Sequence, residues 1–168
     1  MDPDKPIRGL NDSKALDATQ REALDVKIRE RALAWAIGAA DCFEIDAINI
    51  LQASRLAMKR AVEKLSIRPD YLLVDACTVD LPIDQKSLIK GDARSVSIAA
   101  ASIVAKVARD RVLVEWDRVF PHYGLARHKG YYTAEHVAAI HQHGPTWLHR
   151  YSFAPVRQAG LFDGMVAS

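Results

Sequence analysis

An α/β fold is predicted by three features of the chain. One is an apolar run that ends in an acid, YLLVD at Tyr71–Asp75; another is a stretch of small and β-branched residues behind a polar turn, KGDARSVSIAAASIVAKVARD at residues 90–110; the third is amphipathic helical patterning on either side of them. The apolar run reads as a buried strand, entered through Arg68-Pro69-Asp70 and left through Ala76-Cys77-Thr78. The second stretch reads as a helix from about Ser95 with no polar face until Lys106, and a helix apolar all round is normally a buried one. With 168 residues, 49% of them hydrophobic, the chain holds enough apolar material for the core of one ordinary domain, so a disordered or fibrous chain is excluded.

The remaining elements follow in order. Pro3, Pro6 and Gly9 keep the first sixteen residues in loops. Asp17 with Gln20 resembles a capping box, opening a helix from Ala18 to about residue 33 with Leu24, Ile28 and Ala32 on its apolar side. Residues 35–43, WAIGAADCF, read as a strand; Glu44-Ile45-Asp46 then opens a helix with a stripe of Ile50, Ala53, Ala57, Ala61 and Leu65. After Asp75 comes an irregular, partly extended stretch, then the small-residue helix running on towards Arg118, and a helix over Ala134–His143. Neither repeats nor an interdomain linker interrupt the pattern, so a single domain over residues 1–168 is expected.

A net charge of +2 rules out a bulk polycation, so any nucleic-acid contact must come from local placement of Lys and Arg. Cys42 and Cys77 are isolated from each other and from histidines at zinc spacing. With no signal-peptide pattern and no run of eighteen apolar residues, a cytoplasmic location away from membranes is expected.

Two acids stand out. Asp92 precedes the small-residue helix, where it can serve as a metal ligand or merely as a helix cap. Asp75 ends an otherwise apolar strand, where ligands of open α/β sheets bind; it can face a cation or accept amides of the following turn. Ser13 and Lys14 in GLNDSKAL, and Lys129 and Tyr131 in HKGYYT, suit a phosphodiester backbone, with charge from the lysines, a donor from the serine and a ring face from the tyrosine. The plainer alternatives are solvated surface lysines and loop-anchoring tyrosines. His136, His141 and His143 have no metal-ligand spacing and read as surface residues of the last helix, while Asp12, Glu44 and Asp110 read as structural hydrogen-bond partners at helix ends.

Taken together, NDSKAL, EIDAINILQAS, AMKRAV, LLVDA, KGDARSVSIAAASIVAKVARDR, YGLARHKGYYT and HRYSFAPV resemble bacterial ribonuclease HII, a type 2 ribonuclease H, in order and spacing from Asp2 to Val156. The resemblance implies a ribonuclease H-like mixed sheet with flanking helices and a C-terminal helical extension from about residue 119. It implies hydrolysis of the RNA strand of RNA/DNA hybrids, and a cut 5′ of single ribonucleotides in duplex DNA, with Mn²⁺ or Mg²⁺ as cofactor and a monomer as the working form. By the same resemblance Asp75 and Asp92 are metal ligands, Tyr131 packs on the sugar at the ribonucleotide junction, and Ser13, Lys14 and Lys129 lie near the substrate backbone. Two hard cations about 3.5 to 4 Å apart, bound by oxygen ligands, can activate a water and stabilise the leaving 3′ oxygen.

Members of the family normally begin with a strand carrying an Asp-Glu pair and Gly-Arg-Gly, followed by a second apolar strand, and MDPDKPIRGL matches only what comes after it. The expectation is therefore an N-terminally truncated chain, without the first two strands and two of four metal-binding carboxylates, and a poor catalyst as written. Its alternative is a non-catalytic remnant that still grips RNA/DNA hybrid through Lys14, Lys129 and Tyr131.

Overall fold

The computed structural model describes residues 1–158 and falls into two compact units, residues 1–39 with 54–109 and residues 40–53 with 110–158. The first unit opens with loops and then helix α1 (Ala18–Arg31). Its start is the expected capping box: Asp17 accepts the Gln20 amide at 2.8 Å, while the Gln20 side chain accepts the Asp17 amide at 3.0 Å. Leu24 and Ile28 turn inward and join Ile7, Ala100, Ile103, Val104 and Val107 in one cluster, with Ile103 fully buried. Each such aliphatic side chain contributes about 1.5 to 3 kcal/mol by leaving water.

Residues 35–43 do not form a strand: positions 34–41 carry no regular structure, and Cys42 already belongs to helix α2 (Cys42–Glu63). The segment instead lies against the second half of α2. A Cβ on Gly38 would collide with the Ala57 carbonyl and the Ala61 amide, so only glycine permits this approach. Arg60 donates to the Ala39 carbonyl at 2.8 Å, occupying a group that a sheet neighbour would otherwise take. The alanine stripe of α2 thus serves a close helix-to-chain approach. Asn49 interrupts that helix at φ 67°, its side chain accepting the amides of Leu51 and Gln52 as a cap for the second half. Ile50, placed on the apolar stripe by the sequence, is consequently exposed, whereas Ala53 is buried.

Strands β1 (Tyr71–Asp75) and β2 (Asp84–Leu88) pair in parallel, Tyr71 opposite Asp84 and Asp75 opposite Leu88. The intervening segment is unusually short for a parallel connection, which normally needs a dozen or more residues. Two successive three-residue turns, Val79 to Leu81 and Leu81 to Ile83, tighten it, and the Gln85 side chain clamps Val79 through both its amide and its carbonyl at 2.8 Å. Leu72, Val74 and Val79 pack with Met58, Val62 and Ile83 on one face. The other face of β1 carries Tyr71 and Leu73, which are 52% and 43% exposed, so the strand is half covered and not buried on both sides as the apolar run suggested.

A four-residue helix α3 (Gly91–Arg94) leads into α4 (Val96–Val119). Only one side of α4 is buried, through Ile98, Ala99, Ala100, Ile103, Val104 and Val107; Val96, Ala101 and Ala105 are exposed, against the expectation of burial all round. Small size and low polarity leave a helix face free to be covered or uncovered, and pattern alone does not decide which.

In the second unit a 3₁₀ turn at Pro121–Tyr123, the short helix α5 (Leu125–His128), α6 (Ala134–His143) and α7 (Ala154–Gln158) surround a core of Tyr123, Leu125, Ala139, Ile140 and Val156, lined by Trp116, Phe120, Leu148 and Phe153. Trp116 and Trp147 meet edge to face at 4.7 Å. Asp46 accepts the amides of Tyr151 and Ser152 at 2.7 and 3.1 Å, and Glu44 with Asp41 forms a reciprocal cap at the start of α2. No helix among the described residues is long and apolar enough to cross a membrane.

Candidate functional site

The parallel register brings the ends of β1 and β2 to one edge of the sheet. Asp75 is the last residue of β1, and Asp92 lies four residues beyond the end of β2, so both acids belong to the edge where α/β sheets bind ligands. Lys90 adopts a left-handed conformation, φ 55°, that turns the chain sharply into α3. The Gly91 amide then donates to Asp75 Oδ1 at 2.8 Å, joining the end of β1 to the residue before Asp92. Gly91 favours this closeness, because a Cβ there would sit 3.2 Å from Asp75 Oδ1 and 2.6 Å from Ile98 Cδ1, so that one of these side chains would have to shift. Asp92 Oδ1 in turn accepts the Ala93 amide at 2.9 Å. The helix-cap alternative for Asp92 does not hold: Asp92 lies inside α3, and it is the Ser95 hydroxyl that accepts the Ile98 amide in the first turn of α4, at 3.4 Å.

Asp75 is exposed and Asp92 half-buried, and each carboxylate has a second oxygen with which to meet a cation. Oxygen donors of this kind suit a hard divalent ion with water completing its shell. These two acids do not complete a two-ion centre: among the described residues no group of three or more His, Cys, Asp or Glu side chains is placed to hold a metal.

Ser13 and Lys14 lie in a turn braced by Asp12, which accepts the Lys14 amide at 2.9 Å through its side chain and the Ala15 amide at 3.0 Å through its carbonyl. Arg21 holds the same turn by donating to the carbonyls of Ser13 and Leu16. Ser13 is buried, while Lys14 projects to solvent, so of the two it is the lysine that a phosphate can reach.

The loop between α5 and α6, in the second unit, carries Lys129 and Tyr131. Lys129 and Gly130 are both left-handed, at φ 50° and 70°, and the Lys129 ammonium folds back onto the Ala126 carbonyl. Tyr131 and Tyr132 are more than half exposed, Tyr132 standing edge-on to Phe153 at 5.9 Å. Beneath them lie histidines whose role the sequence hid. His136 is not a surface residue but 7% exposed, because the Thr133 cap starts α6 so that position 136 faces inward. It meets His149 at 3.1 Å between the two Nε2 atoms and stacks on His128 at 4.4 Å. Burial, reinforced by its neighbour His136, drives the His149 pKa down to about 4, and burial likewise lowers that of His136. His128 is buried and bonded to the Tyr123 carbonyl at 2.7 Å. Arg150 lies over the Phe153 ring at 4.6 Å.

The sequence profile of the ribonuclease HII family matches residues 6–156. The chain is 59% identical over 162 residues to a ribonuclease HII of Solibacter usitatus, covering 96% of this chain and 71% of that one. It is 55% identical over 153 residues to a ribonuclease HII of Desulfitobacterium hafniense, covering 90% and 59%. The chain thus spans between about three fifths and seven tenths of the length of these relatives. Its fold is similar to that of the ribonuclease H2 of Pyrococcus horikoshii, with a TM-score of 0.74 over 90% of this chain and 80% of the other at 23% identity.

Proposed function

The chain belongs to the ribonuclease HII family, and from that premise we propose that its function is endonucleolytic hydrolysis of RNA paired with DNA. Its substrates are the RNA strand of RNA/DNA hybrids and single ribonucleotides in duplex DNA, cut on their 5′ side to leave 5′-phosphate and 3′-hydroxyl ends. The observation that carries this reading is the Gly91 hydrogen bond, which ties the Asp75 carboxylate to the residue beside Asp92 at one sheet edge. Asp75 and Asp92 would hold Mn²⁺ or Mg²⁺, which when bound supplies an activated water and charge neutralisation at the scissile phosphate. Within the chain, the Gly91 and Ala93 amides orient the carboxylates, Lys14 and Lys129 attract the phosphate backbone, and Tyr131 offers its ring to the sugar at the junction. Residues from about 119 form a helical extension of a ribonuclease H-like domain, and the protein works as a cytoplasmic monomer.

Cleavage and binding, measured separately on a duplex with one embedded ribonucleotide and Mn²⁺ supplied, test the reading. Cleavage that falls at least about a hundredfold in Asp75→Asn, with binding retained, is the expected result. A second reading is favoured by the absence, among the described residues, of a third acid grouped with Asp75 and Asp92: a non-catalytic binder of RNA/DNA hybrids, which would show salt-sensitive binding and no cleavage by the unaltered chain.

A further inference from the structure

The loop bearing Tyr131 is held by side chains to which the proposed reaction assigns no part. His149 Nδ1 lies 3.0 Å from both the amide and the hydroxyl of Thr146 and 3.3 Å from its carbonyl; the closer amide can only donate, which leaves the lone pair on Nδ1 and the ring proton on Nε2. That proton points at His136 Nε2, 3.1 Å away, which must therefore accept. The proton of His136 is left on Nδ1, which donates to the Tyr131 carbonyl at 3.1 Å. An independent ring completes the grip: His128 donates from Nε2 to the Tyr123 carbonyl at 2.7 Å and accepts the Gly130 amide on Nδ1 at 3.2 Å. Every ring nitrogen of the three histidines thus has a partner with one consistent set of neutral tautomers. Two stacked imidazoles seize the loop, one at the Gly130 amide and one at the Tyr131 carbonyl.

We propose that His128, His136 and His149 are positioning residues that set the conformation of the Lys129–Tyr131 loop, and so control how well the protein distinguishes a ribonucleotide from a deoxyribonucleotide. The chain of hydrogen bonds is directional, since each ring offers one donor and one acceptor. Interrupting it at His149 therefore leaves His136 Nε2 without a donor and loosens the Tyr131 carbonyl from two hydrogen bonds away, without touching the Tyr131 ring. The inference rests on the substrate reading given above.

The test uses the full chain and two labelled duplexes of identical sequence, one all DNA and one with a single ribonucleotide. His149→Phe keeps a ring of similar size and deletes both nitrogens; His149→Gln restores a donor towards His136. The expected result is a roughly tenfold loss of preference for the ribonucleotide duplex in the Phe variant, recovered to within about threefold by Gln, corresponding to one buried hydrogen bond. Unchanged preference in a folded Phe variant, with only its thermal midpoint lowered, overturns the proposal and leaves the substrate reading intact. Absence of any preference in the unaltered protein overturns the substrate reading instead, and this inference with it. Nitrogen-15 spectra of the unaltered protein give a check that no folding defect can obscure: His136 must be the Nδ1–H tautomer, His128 and His149 the Nε2–H tautomers, and any other assignment refutes the clamp.

Discussion

The sheet edge and the α5–α6 loop solve the same problem, fixing ionisable side chains through backbone hydrogen bonds, with opposite outcomes. At the edge, Asp75 and Asp92 each accept one amide, from Gly91 and Ala93, and remain accessible enough for a cation to approach. Beneath the loop, His136 and His149 are buried and hydrogen-bonded to each other, and burial lowers both pKa values, which favours neutral rings. A carboxylate at a solvent-facing edge stays open to a cation, whereas an imidazole in a closed core is a fixed donor and acceptor whose value lies in direction, not charge. Burial makes the difference.

Acid should break the core beneath the loop. The His149 pKa lies near 4 in the folded protein against 6.5 in an unfolded chain, so the unfolded state binds more protons between these values and stability rises with pH across that window. The stabilisation is complete above about pH 6.5 and is lost as pH falls towards 4. Its size is about 3 kcal/mol for His149, and His136 adds to it in the same direction. Denaturant unfolding followed by tryptophan fluorescence, which reports Trp116 and Trp147 beside this core, should show the midpoint falling over that range; a midpoint that is flat from pH 7 to 4.5 would contradict neutral buried rings.

The edge should break through steric pressure instead. Gly91→Ala places a methyl 2.6 Å from Ile98 Cδ1 and 3.2 Å from Asp75 Oδ1, and overpacking of this kind costs about 1 to 3 kcal/mol. Calorimetric titration with Mn²⁺ should show weakened binding, with the pH dependence of the loop unaltered. Equal Mn²⁺ affinity in the variant would mean that the Gly91 amide does not orient Asp75. A smaller effect sharpens the comparison away from both regions: Asp17→Ala removes the α1 cap and should cost about 1 kcal/mol in thermal unfolding, leaving metal and duplex binding as they were.

Elements with a complete local signal were legible. Asp17 with Gln20 announced α1, the apolar run delimited Tyr71–Asp75, and helical patterning delimited Ala134–His143. Residues 35–43 were not, because β-favouring composition cannot reveal that Gly38 will press against the Ala57–Ala61 turn of α2. Asp25 escaped as well: it lies among the charges of α1, yet is buried and paired with Arg29 at 2.8 Å, whose guanidinium covers Trp35 at 4.1 Å. At the candidate site, both acids were legible as residues of special placement, but the amide that links them was not.

Local chemistry therefore specified the caps, the strand ending in Asp75, the turn before Asp92 and the family to which the chain belongs. The sharing of one sheet edge by those acids, the single buried face of α4 and the burial of His128, His136 and His149 beneath the Tyr131 loop emerged only from packing. The reason is physical: capping and periodicity act over a few neighbouring residues, whereas burial depends on what the distant chain brings against a side chain, and burial governs both tautomer and charge.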